Sequence, residues 1–505
     1  MPPRFLQRMQ RQSDVLRDVF GDPQNDPPPY PFSPSRAGST SSSFQYRRSR
    51  DLSAYQNRFS TDSSSSYRPA NPDTTSLHYE QRSDAGSEAT TYNFPPPPGY
   101  TPATTPSWES FDITTIPRDS LVLVTAANSY LGLHICAQLL THGFGVRGTV
   151  RDAEKAVSTA KLFRDRFGAG RFTTAVIPDM AAQHAFDIAV RGCAGVVHVA
   201  SVTVPSTDPH EVITPSIAGA LNALEAAGKE AGVRRVVCTS CASAAVSCAR
   251  AQRSVVSGES WNMDDFEEAW ASVVSPLEDE EGPFDWSPER TREVARKGEA
   301  QRLSKVDAVR ASAKMQTEQA VWKWCSSRRP SFVLNTVLPD TLWGAPVAVL
   351  PSSTTQSGQG QGREGLHLPP SVRLLQSFLR NEPTAAESGH FVPVSSAAAL
   401  HVAALLLPDV RHERVFAVSV PWTRRQIRGT LERWFPERML ERSAVGEAME
   451  GGERREGSVR SRENEAMDLT VFKDVERAED LLRRMGREGW GDLEGAVRGA
   501  MEGFL

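Results

Sequence analysis

The chain has 505 residues, with 57 Lys plus Arg against 61 Asp plus Glu and a formal net charge of −4. That balance supplies no basic stripe for phosphates and excludes nucleic acid as an expected partner. The longest apolar run, near Ala397 to Leu407, falls short of the ~20 residues that cross a bilayer, which excludes a membrane-spanning reading.

The start, MPPRFLQRMQ, lacks the apolar stretch of a secretory leader. Six cysteines in so long a chain do not form a disulfide framework, so a reducing, cytoplasmic compartment is expected. Residues 1–112 contain no isoleucine, no lysine and only Val15 and Val19 as valines, yet they hold 16 of the 35 prolines. Such a segment cannot bury enough apolar surface to offset its ordering entropy, and it reads as a long disordered tail. A short helix over Asp14–Phe20 is the one exception the pattern allows. Pro27, Pro28, Pro29 and Tyr30 have the form of a ligand for an aromatic groove of the WW type.

From Ile113 onward short apolar runs alternate with helical patterns. Leu121–Thr125 reads as a buried strand and His134–Leu140 as a helix, followed by a strand at Gly145–Val150 and a helix at Asp152–Phe167. Strands are expected at Phe172–Ile177, Gly195–Val199 and Arg235–Thr239, with helices at Ala181–Arg191 and Thr214–Ala231 between them. A further helix is expected over Lys314–Cys325. This alternation predicts an α/β fold with a doubly wound parallel sheet. Three charged or Gly/Ser-rich stretches read as insertions: Pro276–Ala300, Ser352–Gly362 and Ser443–Met467. What remains suits a nucleotide-binding domain over 119–345 and a small C-terminal lobe over 346–505.

The first strand runs into Thr125-Ala126-Ala127-Asn128-Ser129-Tyr130-Leu131-Gly132 and then a helix. A dinucleotide-binding turn occupies this place, with backbone N–H groups and the helix N-terminus toward a pyrophosphate. Its three glycines appear here as Ala126, Ser129 and Gly132. A Cβ at 126 costs on the order of 1 kcal/mol if φ is positive there, and Ser129 fits if its side chain turns away from the phosphates. Nineteen residues beyond Gly132, the second strand ends at Arg151. An acid there would bind the 2′-hydroxyl of NAD, whereas arginine suits the 2′-phosphate of NADP(H), with Lys155 one turn further to assist. The competing reading is a solvated charge at a strand end.

These residues, with VTAANSYLGLH (124–134), VRGTVRD (146–152), PDM (178–180), GVVHVAS (195–201), RRVVCTSCASAAV (234–246), SWN (260–262), LNTVLPDTLWG (334–344) and MGREGW (485–490), resemble the extended short-chain dehydrogenases/reductases of the NAD-dependent epimerase/dehydratase superfamily. The likeness is to the dihydroflavonol reductase-like group, which includes fungal-type NADPH-dependent aldehyde and ketone reductases. It implies a Rossmann-type domain whose C-terminal lobe forms the substrate pocket. It also implies that Asp179 and Met180 lie by the adenine, Ala200 and Ser201 along the cofactor, and Pro339 near the nicotinamide.

The resemblance breaks at the chemistry. Where the family has its catalytic serine this chain has Cys241, preceded by Ser240, and the family's Tyr-x-x-x-Lys pair appears as Arg310 and Lys314. No tyrosine follows Tyr130. Arginine stays protonated and cannot serve as a proton donor, and a thiol is a feeble hydrogen-bond donor. Lys314 is then the replacement acid, its pKa expected to fall through burial beside Arg310, since two cations disfavour each other. A slow NADP(H)-dependent reductase of an aldehyde, ketone or secondary alcohol is one reading. A catalytically silent NADP(H)-binding scaffold or sensor acting through the tail is the other.

Other groups read more plainly. The Cys238-Thr239-Ser240-Cys241 pattern lies at a strand end, where Cys238 is a small core residue rather than half of a redox pair. His134, His198 and His401 sit in apolar segments without ligand spacing, so no metal is expected. Trp322 and Trp324 read as packing aromatics. Asp340, in a turn after Pro339, places an acid near the expected pocket.

Overall fold

A computed structural model describes residues 114–247, 254–271, 288–348, 368–382, 384, 387–438, 468 and 470–504. The expectations of a disordered tail over 1–112, a helix at Asp14–Phe20 and a ligand at Pro27–Tyr30 lie outside the described residues. So do the insertions over 352–362 and 443–467 and the first part of the insertion over 276–300.

Strand β1 (Leu121–Val124) opens the fold as four apolar residues, three of them buried. Helix α1 (Tyr130–Thr141) starts four residues before the apolar pattern does, because the Ser129 side chain caps it by accepting from the Gly132 amide. Strand β2 (Gly145–Val150) and helix α2 (Ala153–Phe167) follow, the latter capped by Asp152 through the Lys155 amide at 2.8 Å. Then come β3 (Phe172–Val176), β4 (Cys193–His198), α3 (Pro209–Lys229) and β5 (Arg235–Thr239). Helix α3 begins earlier than its apolar pattern because Asp208 caps it and Pro209 supplies a ready-set first φ.

The helix expected over Ala181–Arg191 is absent, and residues 181–192 form successive turns instead. His184 adopts φ 65°, which no helix accommodates. Its ring meets Asp187 at 3.1 Å, and Asp187 also pairs with Lys229 at 2.9 Å. The local charge pairs fix a turn where the apolar spacing alone suggested a helix.

After β6 (Val255–Val256) and α4 (Met263–Trp270), helix α5 runs from Pro288 to Arg328. It is far longer than Lys314–Cys325, and it takes in the second half of the stretch read as an insertion. The chain continues through β7 (Val333–Pro339), β8 (Thr341–Trp343), α6 (Pro370–Leu379), β9 (Ser388–Pro393), α7 (Val394–Leu406), β10 (Arg414–Ala417), β11 (Pro421–Thr423), α8 (Arg424–Trp434), β12 (Val471–Phe472), α9 (Val475–Arg484) and α10 (Leu493–Phe504).

Seven parallel strands form the main sheet in the order β10-β7-β5-β4-β1-β2-β3. This is the expected doubly wound, Rossmann-type arrangement. The chain leaves β1 toward β2 and β3 and then returns to β4, so the switch point lies between β1 and β4, where such sheets open a ligand crevice at their carboxyl ends. One face is covered by α1 and α7 through a core that includes Ile135, Leu139, Leu400 and Leu405. The other is covered by α3 and α5 through Ala223, Leu224, Val321 and Trp322. Residues beyond 346 do more than build a separate lobe, since β10 edges the main sheet and α7 lies beneath it. A smaller sheet, β11-β9-β8, packs Trp343, Phe391 and Trp422 against α6, α8 and α10.

Candidate active site

At the carboxyl end of β1, Ala126 stands at φ 49°, the left-handed region in which the sequence placed a cost of about 1 kcal/mol. Its amide donates to the Thr149 hydroxyl, and the Ala127 amide to the Thr149 carbonyl, so the turn is tied to β2. A Cβ at Gly132 would stand 2.3 Å from the Ala126 carbonyl oxygen; this glycine alone lets helix and turn approach. The Ser129 hydroxyl folds back onto the Gly132 amide at 3.1 Å. The Tyr130 and Leu131 amides, at the first turn of α1, have no partner within the helix.

Arg151 is exposed at the end of β2. Lys155 lies beside it but pairs with Asp152 at 3.0 Å. Asp179 is exposed and bonds its own turn through the Ala181 amide, while Met180 packs over Gly219 of α3. The Thr125 hydroxyl accepts from the amides of Val199 and Ala200, both at 2.9 Å. Its own hydrogen therefore points to His198 Nδ1, 3.2 Å away. The turn, Ala200 and Ser201 thus converge on the switch point.

The opposite wall is built from β5, α5 and β7. Lys314 projects from α5 and donates from Nζ to the Thr239 carbonyl at 3.1 Å. With His198, Ser201, Thr239, Thr317 and Thr336 it lines a cavity at the ends of β4, β5 and β7. The Thr317 hydroxyl there is buried without a hydrogen-bond partner, a donor and acceptor left for a bound group. His401 donates from Nδ1 to the Ala397 carbonyl at 2.7 Å and so accepts the Thr239 hydroxyl at Nε2, 2.8 Å. Burial holds both rings neutral, lowering His401 to about 4 and His198 to about 3. Burial also lowers the pKa of Lys314, against the opposing pull of Cys241, Cys238 and Glu318. The direction and the part played by burial match the sequence expectation, but the part assigned to Arg310 does not: Arg310 turns to Asp307 at 3.4 Å and is not among the charges that act on Lys314.

Ser240 is committed elsewhere. Its hydroxyl donates at 2.7 Å to Glu318, one helical turn beyond Lys314 on α5. Glu318 also accepts from Thr336 at 2.7 Å and pairs through both oxygens with Arg414 of β10, at 2.9 and 3.1 Å. Arg414 in turn donates to the carbonyls of Gly258 and Ser260 and lies 4.0 Å over the Trp261 ring. Burial alone would raise the Glu318 carboxyl; Arg414, Thr336 and Ser240 more than offset this and hold it below its ordinary value. Sequence reading missed Glu318. The available signal was its i+4 spacing from Lys314, which puts both on one helix face.

Cys241 precedes a short 3-10 turn at Ala242–Ala244 without a side-chain capping bond to it. Burial, and then Asp340, push its thiol up, while burial raises the Cys238 thiol as well. Neither suits thiolate chemistry. Trp322 and Trp324 belong to the core between α5 and the sheet, Trp324 stacking on Phe332 at 6.2 Å. Tyr130 is half-buried, with its hydroxyl bonded to the Gly344 carbonyl and its ring edge-on to His134 and Phe504; desolvation raises its phenol well above the usual range. It is a packing residue, not a proton donor.

The 3-beta hydroxysteroid dehydrogenase/isomerase family model matches residues 123–274. An aldehyde reductase of Sporidiobolus salmonicolor is 29% identical over 392 residues, which is 77% of this chain and 96% of that protein. An NAD-dependent epimerase/dehydratase of Aspergillus terreus is 30% identical over 304 residues, 60% of this chain and 78% of that protein. Among solved structures, a yeast methylglyoxal/isovaleraldehyde reductase complexed with NADPH superposes with a TM-score of 0.54 at 21% identity, over 76% of this chain and 98% of that one. That likeness is one of fold.

Proposed function

Because the chain belongs to the NAD-dependent epimerase/dehydratase family of extended short-chain dehydrogenases/reductases, we propose that it is an NADP(H)-dependent oxidoreductase interconverting an aldehyde or ketone with its alcohol, slowed by Arg310 at the position of the family's tyrosine. The observation that carries the reading is Lys314, seated on the Thr239 carbonyl in a cavity shared with Ser201 and the unpartnered Thr317 hydroxyl.

The first-turn amides of α1, with Thr125, Ala126, Ser129 and Gly132 shaping the turn, would hold the pyrophosphate. Arg151 would take the 2′-phosphate; the neighbouring Asp152 is occupied with its helix cap and Lys155. Asp179 and Met180 would border the adenine, and Ala200, Ser201 and Pro339 the rest. When bound, such a cofactor supplies the hydride. Lys314 has further N–H donors to offer a ribose or a substrate oxygen, and the neutral His198 and His401 place no competing charge beside it.

A silent, NADP(H)-binding reading draws support from Arg310 and Cys241 at the positions of the family's two hydroxyls, and from the commitment of the remaining ones: Tyr130 is bonded to Gly344 and Ser240 to Glu318. NADPH oxidation by the full chain with a panel of small aldehydes and ketones, beside direct titration of NADPH binding, separates the two. Slow wild-type turnover that rises ~10²-fold or more in Arg310→Tyr supports the impaired oxidoreductase. Binding without turnover supports the silent reading, and absence of NADPH binding overturns both.

A further inference from the structure

We propose that Asp340 is the acid that delivers the proton to the substrate oxygen, with His390 and Asp468 as its positioning residues; the proposal rests on the oxidoreductase reading above. Strand register brings Asp340 to the carboxyl ends of β5 and β7, the same end at which Lys314 bonds the Thr239 carbonyl. Thr239 of β5 stands opposite Val337 of β7, and the Ser240 amide donates to the Val337 carbonyl at 2.8 Å. Two residues on, Cys241 and Pro339 leave adjacent strands at one level, and Asp340 follows. The Cys241 thiol, at the family's serine position, feels both the Asp340 carboxyl, which raises it, and the Lys314 ammonium, which lowers it.

The carboxyl itself is held on one side only. Its Oδ1 accepts the Thr341 amide at 2.7 Å and the Thr341 hydroxyl at 3.3 Å. Its Oδ2 takes no hydrogen bond from the described residues, which leaves one oxygen to carry a proton toward a ligand. Strand β8 pairs with β9 so that Thr341 faces Phe391, and the residue before each, Asp340 and His390, are neighbours. The buried His390 ring contacts Asp468 through Nδ1 at 3.3 Å. The titratable groups that act on Asp340 or share its surroundings are His390 on β9, Asp468 ahead of β12, and Cys241 beyond β5, which also feels Lys314 of α5; β10 contributes the Ala417 carbonyl.

Asp340 can do what Arg310 cannot. In the reductive direction a bound dihydronicotinamide would supply the hydride pair by breaking one of its own C–H bonds and would be left as the oxidised ring. As that pair forms the new C–H bond the C=O π pair moves to oxygen, and the Asp340 O–H breaks as the alcohol O–H forms. The carboxylate that remains takes its next proton from solvent. Desolvation raises the carboxyl to about 6, with His390 pulling down and Asp468 pushing up, so a protonated fraction persists near neutral pH. Lys314 retains its role as a donor to the ligand and its contact with Thr239.

The test uses the full chain with NADPH and 4-nitrobenzaldehyde. The readouts are kcat/KM against pH and the dissociation constant of NADPH, together with the carboxyl infrared band as a wild-type minus Asp340→Asn difference without cofactor. The expected result is reduction that falls about tenfold per unit as pH rises above about 6. Asp340→Asn should lose ~10²–10⁴-fold with NADPH affinity kept, and the difference band of a protonated carboxyl should vanish through the same pH range. His390→Gln should move the break to higher pH and Asp468→Asn to lower pH, shifts that a purely structural role would not produce. Turnover kept within a few-fold in Asp340→Asn overturns the proposal, as does a wild type that binds NADPH and does not turn over. A chain that fails to bind NADPH fails at the oxidoreductase reading, and the Asp340 role falls with it.

Discussion

The two walls of the cleft hold their polar groups by different means. On the side of β1, α1 and β2 the turn and the helix caps are held mostly locally: Ser129 bonds Gly132 three residues on, Asp152 bonds Lys155 three residues on, and Thr149 meets Ala126 across 23 positions, while Thr125 and Tyr130 reach far, to Val199 and Ala200 and to Gly344. On the side of β5, α5 and β7 the partners come from far along the chain. Glu318 draws Ser240 from 78 residues away and Arg414 from 96, and Lys314 reaches Thr239 across 75. Local hydrogen bonds form almost independently of one another, so losing one costs little. The distant groups share a single buried network in which each partner satisfies the others, and removing one strands the rest.

That contrast fails if Glu318→Ala is mild. Removing one member of a buried ion pair leaves an uncompensated charge, here Arg414, and should destabilise by ~3–5 kcal/mol, read as a lower urea midpoint at unchanged slope. The sign of its pH dependence follows from the lowered carboxyl pKa. The Glu318 contribution is complete above about 4.5 and lost as pH falls below it, so wild type and Glu318→Ala should converge in acid.

Asp340→Asn sharpens the comparison because the same wall should give the opposite sign. Between 3.8 and about 6 the folded chain binds the Asp340 proton more tightly than the unfolded chain does, so stability falls as pH rises through that window. At neutral pH the asparagine variant should therefore be more stable, by on the order of 1–3 kcal/mol, with the gain gone below pH 3.8. Thermal unfolding at two pH values checks both halves. A substitution that raises stability while removing turnover is what a strained functional group predicts.

The smallest effect belongs to the other wall. Ala126→Gly relieves the Cβ at φ 49° and should stabilise by about 1 kcal/mol or less, the gain reduced by the freer unfolded chain. A loss of several kcal/mol in thermal unfolding would mean that this turn is not locally held.

Legibility in the sequence followed the same division. The strands at Gly145–Val150 and Arg235–Thr239 have the expected bounds: the second carries the continuous apolar run, Val236 to Cys238, that a buried parallel strand needs, and the first is marked by its valines between turn residues. The helix that is missing over 181–192 failed for the reverse reason: apolar spacing was present, but His184 and the Asp187 pairs with His184 and Lys229 fix a turn. Helix α5 outran its expected bounds because charge density was read as loop, whereas long charged side chains are good helix formers.

By itself the sequence determined the alternation of strand and helix, the thinned glycine turn with its one indispensable Gly132, the arginine at 151, and the absence of any tyrosine after Tyr130. Each is a matter of residue type within a short window, where backbone geometry leaves little choice. Only the tertiary structure decided that Ser240 serves Glu318, that Arg310 turns to Asp307, and that Asp340 stands beside Cys241 with His390 and Asp468 behind it. Apart from the Arg310–Asp307 pair, three residues apart, those relations join residues tens of positions or more apart. A buried charge must find its partner in space, and nothing in the local sequence says which partner the folded sheet will bring.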